Sequence, residues 1–172
     1  EALAALKFPN VKSVQIVFNI FRQRPAEEFL KEAKKKNVAV IARGSLASGL
    51  LTGTINKNTK FNTNDHRNYN FKGKSFDIGD TFSGVKFNKA LVAVNKLKKI
   101  LPKKFNLVDL SLKWILKHEE VSVVIPGATN KIQVDMNTKA TDLPNISNLS
   151  SDIEHIYNKL IKHDRSEEHT SE

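Results

Sequence analysis

Hydrophobic positions along this 172-residue chain fall into two patterns: short runs rich in Val and Ile, and longer stretches with an apolar residue every three or four positions. The first pattern reads as buried strands and the second as amphipathic helices. Residues 11–18, 38–42 and 121–125 are runs of the first kind. Residues 1–7 read as the end of a helix. Pro25 opens another, running to about Lys36, with Glu27 and Glu28 in its first turn where carboxylates suit the helix dipole. Asn37 follows as a candidate left-handed residue closing that helix. The stretch 87–101 carries Ala90, Leu91, Val94, Leu97 and Leu101 as a helical stripe, and 107–117 places Leu107, Leu110, Ser111, Trp114 and Ile115 on one face. A short helix is expected over 131–140. A last one, over 150–162, turns Ile153, Ile156, Tyr157, Leu160 and Ile161 inward, with Ser150 or Ser151 as its cap.

The order is strand, helix, strand with tight connections, which implies parallel strands joined by right-handed crossovers. Two loops stand out. In VSVVIPGATNKIQVDMN, Pro126-Gly127 ends a strand and Thr129 or Asn130 can cap the helix that follows. A strand running into a helix N-terminus leaves backbone N–H groups facing outward, which suit a phosphate. In VAVIARGSLASGLLTG the second strand ends in a similar loop of small residues. Two such loops on one parallel sheet suggest a phosphorylated cofactor. Between them lies a long polar stretch, residues 54–81, rich in Asn, Lys and Gly. Loops of that length in a compact domain are usually functional or mobile.

Composition narrows the field. Apolar residues make up 40% of the chain, which suits one globular domain with a real core. No run of about 18 apolar residues offers a membrane span. The start, EALAALKFPN, has neither an initiator Met nor a signal pattern and opens inside what reads as a helix, so the chain is expected to be cut at its front. The absence of Cys excludes disulfides and thiolate metal sites and fits a cytoplasmic protein. The net charge of +10 permits binding to nucleic acid. Its lysines, however, spread over several helices, and the arginines are only Arg22, Arg24, Arg43, Arg67 and Arg165. Solvated helix faces explain that distribution better than a nucleic-acid surface, which favours Arg with interleaved aromatics. Residues 165–172, RSEEHTSE, have no apolar face and resemble a translated sequencing-library adapter. They are expected to be an artefact appended to a domain spanning 1–164.

Three parallel strands with crossover helices fit either part of a (β/α)8 barrel or a doubly wound sheet, and the pattern alone does not separate the two. A resemblance does. VQIVFNIFRQRP, VAVIARGSLASGLLTG, LVDLSLKWILKHEEVSVVIPGATNKIQVDMN and the DLP around Leu143 resemble, in order, the C-terminal half of the aldo-keto reductases. DHRNYN…FDIGDTFSGV is similar to one bacterial branch of that family. The resemblance implies an α/β fold in which this chain holds the C-terminal part of a (β/α)8 TIM barrel, about three strands with their helices. It implies an NADP-dependent oxidoreductase acting on a small carbonyl substrate, with no membrane or nucleic-acid partner.

The family's catalytic Tyr, Asp, Lys and His lie on the first half of the barrel, so no catalytic residue is expected here. His66, Tyr69, His118, His155, Tyr157 and His163 read as ordinary surface or core residues, and His169 falls in the tail. What the resemblance carries over is cofactor contact. Gln15 and Asn19 match the strand that holds the nicotinamide carboxamide, and Arg43 matches the position that stacks on the nicotinamide ring, a role a planar guanidinium can fill. Ser45, Leu46, Ser48 and Gly49 match the loop around the pyrophosphate, where small residues let backbone N–H groups approach. Thr54 stands where many relatives carry Lys. Gly127, Ala128 and Thr129 match the loop cradling the adenosine 2′-phosphate, and Lys131, Gln133 and Asn137 match the helix after it. Many relatives have Pro and Glu where this chain has Lys131 and Met136; Lys131 could make up phosphate charge. Asn137 shares a helix face with Gln133 and could reach the adenine. A non-catalytic relative similar to the potassium-channel β-subunits is the alternative, and a basic nucleic-acid module a more distant one.

Overall fold

A computed structural model describes residues 1–163 of the chain; the tail at 165–172 lies outside the described residues. Strands β1 (Ser13–Val17), β2 (Ala39–Arg43) and β3 (Val123–Val124) form one parallel sheet in the order β1-β2-β3. The register sets Gln15 beside Ile41, Ile41 beside Val123, and Val17 beside Arg43. β3 is shorter than the apolar run at 121–125. Pairing nevertheless reaches one residue past each end, because Ser122 N–H donates to the Val40 carbonyl and Ile125 N–H to that of Ala42, at 2.9 and 3.0 Å. Pro126 then has no N–H to extend the ladder.

The helices are α1 (Ala2–Ala5), α2 (Phe29–Lys35), α3 (His66–Tyr69), α4 (Phe87–Lys99), α5 (Leu107–Leu116), α6 (Lys131–Lys139) and α7 (Ser150–Leu160). Three differ from expectation. Pro25 sits in a separate 3-10 turn, Arg24–Ala26, and α2 begins only at Phe29, where Phe29, Leu30 and Ala33 set the phase of its buried face. Neither Ser150 nor Ser151 caps α7; a 3-10 turn, Ser147–Leu149, feeds straight into it and no side chain closes its start. The stretch 54–81 contains α3 and a 3-10 turn at Ile78–Asp80. Asn37 has φ +53°, as the sequence pattern anticipates.

The described residues cover only one face of the sheet. Val40, Ala42 and Phe18 point into a core with Leu30, Leu97, Leu110, Trp114, Ile115 and Ile153, all buried. Alternation sends Gln15, Ile41, Arg43, Val123 and Ile125 to the other face, where Val123 and Ile125 are 43% and 46% exposed. Parallel sheets are ordinarily covered on both faces.

Candidate functional site

The site is built at the carboxyl ends of the three strands, where parallel α/β sheets bind ligands. β1 runs into Phe18-Asn19, and Asn19 is fully buried. Its amide nitrogen donates to the Gly44 carbonyl and to Ser83 Oγ, both at 2.8 Å, while its Oδ1 accepts from Phe21 N–H at 2.8 Å. One side chain therefore joins the ends of β1 and β2 to a segment about sixty residues later. Gln15, by contrast, is exposed on the open face.

β2 ends at Arg43, and the loop after it turns left-handed. Gly44, Ala47, Ser48 and Gly49 have φ of +61°, +48°, +54° and +95°. Such values cost non-glycine residues about 1–2 kcal/mol each, so the surroundings must hold Ala47 and Ser48 in place. They do. Ser48 Oγ accepts from Phe82 N–H at 3.1 Å and donates to the Asp80 carbonyl at 3.3 Å; the Ser48 carbonyl accepts from Arg67 Nη1 at 3.4 Å. Ser45 is buried and Leu46 packs on the core. A Cβ on Gly49 would press on Ile55 at 3.2 Å and on Arg67 at 3.4 Å.

The segment that grips this loop is the long polar stretch and the turn just after it. A second left-handed turn, Phe82, Ser83 and Gly84 with φ of +54°, +59° and +71°, meets the first. Asp80 Oδ1 takes a hydrogen bond from Arg43 Nη2 at 2.8 Å. Behind the turn, Phe82 packs its ring against Phe61, Phe71 and Phe87 with centroids 5.4–6.0 Å apart. Buried Asn70 ties the stretch together by donating to Thr81 Oγ1 at 3.0 Å and accepting from Ser75 and Phe76 N–H. Asp65 caps α3 through Arg67 N–H and forks onto the Arg67 guanidinium, which holds its carboxyl down at about 2. On its far side the cluster bounds a groove of about 630 Å³ lined by Phe71, Ile78, Phe82, Val85 and Phe87 with Lys72, Lys86 and Lys89; none of the predicted site residues lines it.

β3 leads to the third loop. Asn130, not Thr129, caps α6, accepting from Gln133 N–H at 3.0 Å. Gln133 replies through Oε1, which accepts from Thr129 N–H at 2.8 Å and Thr129 Oγ1 at 3.1 Å. Asn137 reaches back to the Gly127 carbonyl at 3.5 Å. Gln133 and Asn137 thus shape the loop from the helix side. Lys131 is exposed in the first turn of the helix, at its positive end, three residues after Ala128. Gly127 needs no glycine for its own sake: its φ is not in the left-handed region, and a Cβ there would meet nothing within 4 Å. Space kept open beside a helix N-terminus and an exposed cation fits a dinucleotide phosphate.

Of the thirteen predicted residues, Arg43 through Gly49 gather with Asn19 at the ends of β1 and β2, and Gly127 through Asn137 follow at the adjoining end of β3. Sequence reading missed Asp80, Ser83, Asn70 and Phe82. Two signals pointed to them: the stretch DHRNYN…FDIGDTFSGV, which contains all four, and the repeated Ser-Gly pair in ASG at 47–49 and FSG at 82–84. His66 reaches the site loop, with Nε2 at 3.5 Å from Ser48 Oγ, while His118 keeps a structural setting. His118 lies edge-on to Phe18 and Trp114 at 5.0 and 4.7 Å, with Nδ1–H donating to the Trp114 carbonyl at 3.0 Å. Burial pushes its pKa down, helped by neighbouring Lys117. Among the described residues no cluster of side chains could hold a metal ion, and no helix is long and apolar enough to cross a membrane.

The profile of the Aldo/keto reductase family matches residues 1–157, and that decides the assignment. The chain belongs to the aldo/keto reductase family. It is 28% identical over 131 residues to aldo-keto reductase YhdN of Bacillus subtilis (strain 168), covering 75% of this chain and 37% of that protein. It is 28% identical over 132 residues to a probable voltage-gated potassium channel subunit beta of Arabidopsis thaliana, covering 73% and 37%. Among solved structures, the glycerol dehydrogenase AKR11B4 from Gluconobacter oxydans superposes with a TM-score of 0.69 at 24% identity, covering 87% of this chain and 43% of that one. The holo form of aldo-keto reductase AKR11C1 from Bacillus halodurans superposes at 0.63 and 22% identity, covering 93% and 46%. Those two likenesses show the fold. The chain spans less than half the length of the relatives it matches.

Proposed function

We propose that these residues form the cofactor-holding C-terminal part of an NADP-dependent reductase of small carbonyl compounds, three strands of an eight-stranded barrel. The uncovered sheet face supports the barrel, because Ile41, Val123 and Ile125 need a neighbour that the described residues do not supply. The observation that carries the cofactor assignment is Gly127, a glycine required by nothing among the described residues, open near the N-terminus of α6, which carries exposed Lys131.

A bound nicotinamide would supply the hydride. In this proposal Arg43 lies against the ring, Gln15 offers its amide to the carboxamide, and Asn19 fixes the strand-end loop. Ser45, Leu46, Ser48 and Gly49 bring backbone close to the pyrophosphate. Gly127, Ala128, Thr129 and Lys131 hold the 2′-phosphate, with Gln133 and Asn137 bracing the loop and facing the adenine. The proton for the carbonyl oxygen comes from outside the described residues.

The test is dinucleotide binding by the complete gene product, followed by fluorescence. Lys131→Glu should weaken NADPH by about tenfold or more, as expected for reversing a charge at a phosphate, and leave NADH nearly unchanged. Equal loss for both cofactors refutes the 2′-phosphate role. A regulatory, non-catalytic role is the second reading, favoured by the 28% identity to the plant channel subunit beta. It predicts the same binding without turnover of any aldehyde.

A further inference from the structure

We infer that Asp80 is a positioning residue that sets the charge at the nicotinamide end of the site and lets the protein hold the oxidised as well as the reduced cofactor. The inference rests on the proposed cofactor site and goes beyond it, because Asp80 lies outside the strands and loops assigned to cofactor contact.

Arg43 is the last residue of β2, level with Val17 at the carboxyl end of the sheet and on its uncovered face. Its guanidinium is not left alone there: Asp80 Oδ1 sits 2.8 Å from Nη2, with the two side chains 34% and 43% exposed. The carboxylate is delivered by backbone geometry rather than by chance. The Asp80 carbonyl accepts from Ser48 Oγ, and two residues on Phe82 N–H donates to that same hydroxyl. On the other side Gly79 lies flat against Arg22, where an added Cβ would collide with the Arg22 guanidinium and the Asp77 carboxylate. The turn Ile78–Asp80 thus lies between Arg22, in the connection after β1, and Arg43, at the end of β2, and Asp80 faces Arg43.

The consequence is electrostatic. An oxidised nicotinamide ring is a cation and a reduced one is neutral. An uncompensated guanidinium against the ring repels only the oxidised form. Asp80 supplies the compensating negative charge and anchors Nη2 of the guanidinium. A purely structural Asp80 would instead fasten the segment and affect both forms alike.

The experiment is equilibrium titration of the complete gene product, wild type and Asp80→Asn, with NADP+ and with NADPH. The readout is the ratio of Kd for NADP+ to Kd for NADPH. Asp80→Asn should raise that ratio about three- to tenfold, the size expected of one partly exposed charge at close range. Asp80→Glu should restore it. Removing the guanidinium as well, in Asp80→Asn with Arg43→Gln, should bring the ratio back toward wild type. The rise should shrink at high salt. A ratio unchanged in Asp80→Asn, or equally raised in the double variant, overturns the inference while leaving the cofactor site intact. Failure of the wild-type protein to bind either form overturns both.

Discussion

Replacing Asn19 by Leu keeps the side chain's approximate volume and removes its hydrogen bonds, so it isolates what the amide contributes. The residue is fully buried, and three groups lose a contact at 2.8 Å: the Gly44 carbonyl, which keeps its hydrogen bond from Ala47 N–H at 3.0 Å, Ser83 Oγ, and Phe21 N–H. Ser83 Oγ loses a donor but its hydroxyl is free to turn, whereas Phe21 N–H, fixed in the backbone, is left without its acceptor. An unsatisfied buried backbone group costs about 1–3 kcal/mol, so Asn19→Leu should destabilise the complete protein by about 1–3 kcal/mol, a sizeable share of the usual 5–15 kcal/mol. Urea unfolding reads the total, as a lower midpoint at unchanged slope. Hydrogen exchange reads the location, because Phe21 N–H should lose protection while core amides of β2 exchange only as fast as the global loss requires. Asn19→Asp is the informative companion. It keeps the acceptor for Phe21 but sets an anionic oxygen against the Gly44 carbonyl, so its penalty should ease as the pH falls and the carboxyl protonates. Stability of Asn19→Leu within about 0.5 kcal/mol of wild type, the range of ordinary surface changes, with Phe21 still protected, would refute the claim that this amide joins the strand ends.

Two further outcomes follow from charges elsewhere. Asp65→Ala removes a helix cap and a forked contact to Arg67 and should cost about 1 kcal/mol, seen as faster chymotryptic cleavage at Phe61, Tyr69 or Phe71; because the folded carboxyl is held at about 2, its contribution is complete above the unfolded carboxylate range near 4 and fades as the pH falls toward 2. His118 has its folded pKa lowered, so the unfolded chain binds its proton first and stability should drop as the pH falls below about 6.5; His118→Phe should flatten that part of the pH profile in denaturant melts, and an unaltered profile would show that the ring's burial is not what titrates.

The strands and helices were legible because burial imposes a period. Val40 and Ala42 alternate with Ile41 and Arg43 as a strand must, and Val94 and Leu97 repeat as a packed helix must. Where no apolar period exists, the reading lost detail. Ser150 and Ser151 looked like caps, but cap choice depends on how the chain enters the helix, and here a 3-10 turn does so. The small-residue loop after β2 was legible as a loop; its left-handed course was not, since Ala47 and Ser48 carry no intrinsic preference for positive φ.

That left-handed course also explains why residues 54–81 looked patternless. Their order comes from meeting another part of the chain and not from local propensity. Two turns of unfavourable handedness, 47–49 and 82–84, are each strained alone. Brought together they satisfy one another: Ser48 Oγ serves Phe82 N–H and the Asp80 carbonyl, Arg67 serves the Ser48 carbonyl, and Asn19 reaches Ser83. Aromatic packing of Phe82 against Phe61, Phe71 and Phe87 stabilises the meeting from behind. Neither turn has a reason to form before the other. Folding of the strand-end loop and docking of the long segment are therefore expected to be coupled, with tertiary contact adding to the local hydrogen bonds each turn already has. Ser48→Ala should expose that coupling: it removes a hydroxyl from the first turn, yet increased hydrogen exchange is expected at Phe82 and Gly84 in the second. Exchange that rises only within 44–53 would show that the two turns form independently.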